Sequence, residues 1–185
     1  MTAVLRRAVP ADAESITALM KASVRSLFPA VYSPEQTAGA LIHVAHLDPV
    51  LIDDGTYFVQ EVRAGRSGRG EIVACGGWSR RAKLYSGSGR RDDDRRLLDP
   101  ATEPARIRAM FVHPDWTRRG LGRAVLDACR QAAAAEGFRE LILMATRPGV
   151  PLYAAFGFVE VEAVQIPMPD GTCLAGSLMT RPVGP

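Results

Sequence analysis

The sequence predicts one α/β (α+β) domain over residues 1–185, built on a mixed, mostly antiparallel sheet of about seven strands. Three observations carry that prediction. Segments with strand and helix periodicity follow the order strand, two helices, three strands, helix, strand, helix, two strands. Strands T-Y-F-V-Q-E-V (56–62) and E-I-V-A-C-G-G-W-S (71–79) are joined by the turn A-G-R-S-G-R-G, so they return antiparallel. Strands at 106–112 and 140–145 have a whole helix between them and can lie parallel through a right-handed crossover.

The totals limit the function classes. A chain of 185 residues with 47% hydrophobic and 23% charged content can bury a sizeable core. No apolar run approaches the ~20 residues that cross a bilayer. M-T-A-V-L-R-R-A lacks the apolar centre of a secretion signal, so a cytoplasmic location without a membrane partner is expected. Cys75, Cys129 and Cys173 are odd in number and widely spaced, which suits packed thiols and not a disulfide framework. Net charge is +3, with much of the excess in arginines around residue 119. A cleft for an anionic ligand explains that excess, and no nucleic-acid-binding signature accompanies it.

Residues 2–8 suit a first strand. Asp12 then serves as cap for a helix with Ile16, Leu19, Ser23 and Leu27 on one face. Phe28 to Tyr32 breaks it, and Ser33-Pro34-Glu35-Gln36 starts a second helix with a capping box. That helix is expected to turn Ala38, Leu41, Ile42 and Ala45 inward and to end near Leu47. His43 and His46 have metal-compatible spacing but no third ligand, so no metal is expected. Residues 80–105 form a long connection containing R-R-D-D-D-R-R. It reads as a solvated loop, with the wall of a substrate site as the alternative.

Residues 106–124, R-I-R-A-M-F-V-H-P-D-W-T-R-R-G-L-G-R-A, organise the rest. A buried strand ends at His113-Pro114-Asp115, because Pro114 has no N–H for a ladder. An arginine- and glycine-rich loop runs into a helix with Leu121, Val125, Ala128 and Ala132 on one face and a stop at Gly137. A helix start leaves about four N–H groups unpaired and carries roughly half a positive charge. Gly120 and Gly122 leave those amides bare, while Arg118, Arg119 and Arg123 add cations. The pattern is a pyrophosphate cradle or a glycine-assisted helix entry. The Walker pattern is absent, and Val125 stands where the dinucleotide fingerprint needs Gly or Ala.

V-x-P followed by R-R-G-L-G-R-A resembles the acyl-CoA loop of the GNAT superfamily of N-acyltransferases, usually written [QR]-x-x-G-x-[GA]. Gly120 and Gly122 match it, and Thr117 replaces the usual Gln or Arg. L-Y-A-A-F-G-F at 152–158 resembles the second signature of that superfamily. The resemblance implies helices on both sheet faces and a splay between two central parallel strands. It implies acetyl-CoA as cosubstrate, held by the backbone of Met110, Phe111 and Val112 and by Arg118, Arg119, Gly120, Leu121, Gly122, Arg123 and Ala124. The expected reaction moves an acetyl group to a primary amine of a small molecule or peptide, directly within a ternary complex. A catalytically silent acyl-CoA sensor is the alternative, and a homodimer stays open.

Acetyl transfer needs a neutral amine, a stabilised oxyanion and a proton for the leaving thiolate. Tyr153 is the expected general acid, since a phenol of pKa ~10 is protonated at neutral pH; its other role is packing. Arg106 and Arg108 occupy the stretch where a glutamate base is common in the superfamily, leaving Glu61, Glu103, His113 or water as base. Those arginines select a carboxylate- or phosphate-bearing acceptor, or line the surface. Phe28, Tyr32 and Trp78, with Tyr85, are candidates for acceptor contact or for plain packing.

Overall fold

Antiparallel pairing sets most of the strand order. β1 (Ala3–Arg7), β2 (Tyr57–Val62), β3 (Glu71–Ser79) and β4 (Ala105–Val112) each pair antiparallel with the next. β5 (Glu140–Thr146), β6 (Val159–Pro167) and β7 (Cys173–Pro182) form the other half, with β7 between β5 and β6. In this computed structural model, which describes residues 3–62, 70–85 and 92–184, the strands make a seven-stranded sheet of order β1-β2-β3-β4-β5-β7-β6. Among the described residues only β4 and β5 pair in parallel, as expected for two strands joined through α4 (Leu121–Ala135). The A-G-R-S-G-R-G turn falls mostly at 63–69, outside the described residues.

Each face of the sheet buries its own core. Val125, Leu126 and Cys129 of α4 pack with Ile107, Leu141 and Leu143 on one face. On the other, Ile16, Met20 and Val24 of α1 (Ala13–Leu27) pack with Tyr57, Val59 and Cys75. Full burial of each large aliphatic side chain contributes about 1.5–3 kcal/mol. Gly137 ends the α4 segment with φ +89, and Gly157, φ +97, follows α5 (Val150–Ala155) in the same way.

Several local expectations need correction. Asp12 does not cap α1 through its side chain; its carboxylate turns back to accept from Val9 N–H at 2.9 Å and from Arg6. α2 spans Pro34–His43 with the Ser33/Gln36 capping box in place, but it ends before Leu47. Its buried residues are Gly39 and Ala40, whereas Ala38 is exposed and Ile42 is 69% exposed. The cause is a close tertiary approach: a Cβ on Gly39 would stand 2.6 Å from Asp170 Oδ2 in the β6–β7 turn. α4 likewise turns Gly122, Val125, Leu126, Cys129 and Ala133 inward, leaving Leu121, Ala128 and Ala132 half-buried at the margin. A one-turn helix, α3 (Val50–Asp53), precedes β2 and was not expected.

The connection from 80 to 105 is held down over its described parts. Arg81 makes a two-pronged contact with Asp54, both at 2.7 Å, and bridges to Leu97. Leu98 joins the core under Trp78, and Arg96 pairs with Glu103 at 2.7 Å. These contacts anchor the stretch at a few points, while residues 95–97, 99, 101 and 102 stay exposed as a solvated loop would; residues 86–91 lie outside the described residues.

Candidate active site

β4 and β5 share a ladder only at Ala105↔Leu141 and Arg106↔Ile142. Beyond those pairs the strands run on to Val112 and Thr146 without pairing, so they diverge. A cleft of about 660 Å³ occupies the opening. Its walls are Met110–Val112 of β4, the start of α4, and residues 148–155 around α5. Its inner end reaches Ser23, Leu27 and Phe28 at the end of α1.

The outer end is built for an anion. Gly120 is the N-cap of α4, with φ +78, a left-handed conformation that favours glycine. No side chain caps the helix, and a Cβ on Gly120 would meet nothing within 4 Å. Gly120, Leu121, Gly122 and Arg123 line the cleft, where the first-turn N–H groups have no partner within the helix. Arg118 and Arg123 line the cleft, and among the described residues no carboxylate does. Ala124 contributes no donor, because its N–H closes the first turn on Gly120 O at 3.0 Å. Arg119 is turned to the Trp116 ring, 4.5 Å from its centroid, and to Asp115 O. Gly122 has a different task from Gly120. A Cβ there would meet Leu152 Cδ2 at 2.9 Å and Val112 Cγ2 at 3.4 Å, so it keeps α4 close to the cleft walls.

Tyr153 lies midway along the same cleft. α5 presents it, Gly149 gives its ring room, and Phe158 packs edge-on at 5.9 Å. Burial pushes its phenol well above the ordinary value, which keeps the proton on at any working pH. Among the described residues, the lining contains no carboxylate and no imidazole. Phe28 is at the inner end as expected for an acceptor contact, and Ser23 places a hydroxyl beside it. Sequence reasoning counted Ser23 as part of an apolar face; a lone polar residue there was the available signal.

The other candidates are not brought to the cleft. Trp78 is 1% exposed and packs edge-on against Phe138 at 5.8 Å, because its strand position faces α4. Tyr32 spends its hydroxyl on backbone, donating to Ala175 O at 2.7 Å and accepting from Arg147 N–H at 2.8 Å. Tyr85 reaches Pro167 O at 3.3 Å. Glu61 is held by Arg6 at 2.6 Å. Arg96 holds the Glu103 carboxyl down at about 2, too acidic for a useful base. His113 Nδ1 accepts from Asp115 N–H at 3.3 Å, outside the lining. Arg108 is buried against Asp48 at 3.1 Å, and Arg106 donates to the carbonyls of Ala82 and Pro104. Neither arginine lines the cleft.

Residues 53–160 match the family model of the acetyltransferase (GNAT) domain, which takes in the cleft from β4 to the end of α5. The chain belongs to the GNAT family. Its fold is similar to that of a GCN5-related N-acetyltransferase from Rhodopseudomonas palustris, with TM-score 0.69, 21% identity, and 98% of this chain and 96% of that chain covered. It is also similar to the PaiA N-acetyltransferase from Thermoplasma acidophilum in complex with coenzyme A, with TM-score 0.66, 13% identity, and 98% and 99% covered. A third is a phosphinothricin acetyltransferase from Sinorhizobium meliloti in complex with acetyl-CoA, with TM-score 0.62, 23% identity, and 100% and 90% covered. The parallel β4–β5 pair of this GNAT chain and its seven-stranded mixed sheet agree with the fold expected from the sequence. Among the described residues no helix is long and apolar enough to cross a membrane.

Proposed function

We propose that residues 1–185 act as one acetyl-CoA-dependent N-acetyltransferase domain for a primary amine on a small molecule or peptide. One observation carries the reading: an uncapped, arginine-flanked helix N-terminus and a buried phenol share one cleft where β4 and β5 part. The amides of Leu121, Gly122 and Arg123, with Arg118 and Arg123, suit the pyrophosphate of the coenzyme. The backbone from Met110 to Val112 suits its extended arm. Phe28 and Ser23 then face the acceptor.

A neutral amine attacks the thioester carbonyl, the C–N bond forms, and the C–S bond breaks as the oxyanion collapses. The amine nitrogen loses its proton to water, since among the described residues no carboxylate or imidazole lines the cleft to take it. Tyr153 donates a hydrogen bond to the departing thiolate. A thiol of pKa ~8.5 is a stronger acid than this phenol, so Tyr153 stabilises the anion without surrendering its proton for good. The lack of a base also suits the second reading, a sensor that binds acyl-CoA without turnover.

Thiol release over a panel of primary amines separates the two. The enzyme releases thiol with at least one amine, and kcat/KM rises about tenfold per pH unit until the pKa of that amine, moving with the amine from one acceptor to the next. Tight acetyl-CoA binding with no thiol release on the whole panel establishes the sensor instead. An acidic limb fixed at one pH for every amine reveals a side-chain base and refutes water in that role.

A further inference from the structure

Ala109 stands within β4 at φ +52, a conformation uncommon for a residue with a Cβ. The register with β3 shifts at the same place. Gly77 pairs with Arg108 and Cys75 with Phe111, so Gly76 faces both Ala109 and Met110. β4 therefore bulges just past its last pair with β5, at Arg106.

A tyrosine two strands away grips that bulge. Tyr57 on β2 donates its hydroxyl to Ala109 O at 2.7 Å, with β3 lying between. Its ring passes over β3 at Gly77, where a Cβ would stand 2.5 Å from Tyr57 Cδ2. Gly76 clears the opposite face, where a Cβ would collide with the Met110 sulfur. Consecutive glycines in a central strand weaken it, so a close approach on each face is a reason to find them there. Tyr57 is 1% exposed, and burial keeps its phenol protonated and able to donate.

The hydrogen bond has a directional consequence. The peptide between Ala109 and Met110 is trans, so its carbonyl and its N–H point opposite ways. Tyr57 draws the carbonyl back across β3. The Met110 N–H is thereby directed to the side from which β5 has withdrawn, into the cleft that Met110 lines. We infer that Tyr57 is a positioning residue, whose hydroxyl fixes the Ala109–Met110 peptide so that the Met110 N–H meets the carbonyl oxygen of a bound thioester. This rests on the acetyl-transfer reading above.

The test uses acetyl-CoA labelled with carbon-13 at the thioester carbonyl, bound to wild-type and Tyr57→Phe protein. The infrared carbonyl stretch and the calorimetric Kd are recorded for each. The wild type lowers the stretch relative to free acetyl-CoA. In Tyr57→Phe the stretch returns toward the free value and kcat falls about ten- to a hundredfold, while Kd changes less than about threefold. Val59→Ala, a buried change on the same strand, lowers Tm without moving the stretch, which separates positioning from core softening. Tyr57→Met fills similar space without a donor and serves if the phenylalanine variant does not fold. An equal shift in wild type and variant overturns the inference, as does an unshifted stretch in the wild type. A flat titration with wild-type protein overturns the acetyl-transfer reading and this inference with it.

Discussion

At Tyr153 burial and chemistry pull the same way. A phenol in water is a poor acid at neutral pH, and desolvation makes this one poorer still. What desolvation preserves is the donor, since the ring cannot ionise beside a developing thiolate. Tyr153→Phe keeps the packing on Phe158 and removes only that donor. Turnover should fall about a hundred- to a thousandfold, as when one preorganised donor to developing charge is removed, with acetyl-CoA affinity and Tm nearly unchanged. Full kcat in the variant would assign Tyr153 to packing alone. The contrast with Trp78 and Tyr32 shows what single residues in a sequence leave open. All three are aromatic and each was a site candidate. Of these three, Tyr153 alone lines the cleft, because which face a strand or helix presents is settled by partners far along the chain.

The two glycines that open α4 act through different physics, and their variants should divide accordingly. Gly120 is required for its backbone: φ +78 costs an L-residue about 1–2 kcal/mol, and asparagine tolerates it best. Gly122 is required for its size, since any Cβ presses on Leu152 and Val112. Gly120→Asn should therefore keep most of the stability that Gly120→Val loses, by thermal melts. Gly122→Val should lower acetyl-CoA affinity in calorimetry by driving Leu152 into the cleft. If Gly120→Asn melts no higher than Gly120→Val, conformational strain is not what fixes that glycine.

At this scale much was legible. The β2 and β3 strands, the Ser33 capping box and the glycine stop at 137 all act over a few residues and were read from them. The inward faces of α2 and α4 were misread for one reason. Gly39 and Gly122 carry no hydrophobic signal, yet their small size decides which side of each helix packs most closely. α3 was missed because one turn of helix leaves too short a pattern.

Across the whole molecule the site is a defect in the sheet. Neighbouring strands of the sheet pair over five residues or more, except β4 and β5, which part after two residue pairs. That parting leaves backbone donors exposed to a cleft lined by apolar side chains, which is where backbone amides are strongest as binding groups. No local pattern in 105–112 or 140–146 announces the divergence, because each segment reads as an ordinary buried strand. It begins beside the β4 bulge at Ala109. The motif resemblance supplied the splay as an expectation, and the register of the two strands bears it out.

The most direct test of the central claim is an amide NMR titration of the wild-type chain with coenzyme A. The account predicts saturable shifts concentrated at Met110–Val112 and Leu121–Arg123, extending to Tyr153, and little change in β1 or at the outer edge of β6. Shifts confined to another surface, or none at millimolar coenzyme A, would contradict it.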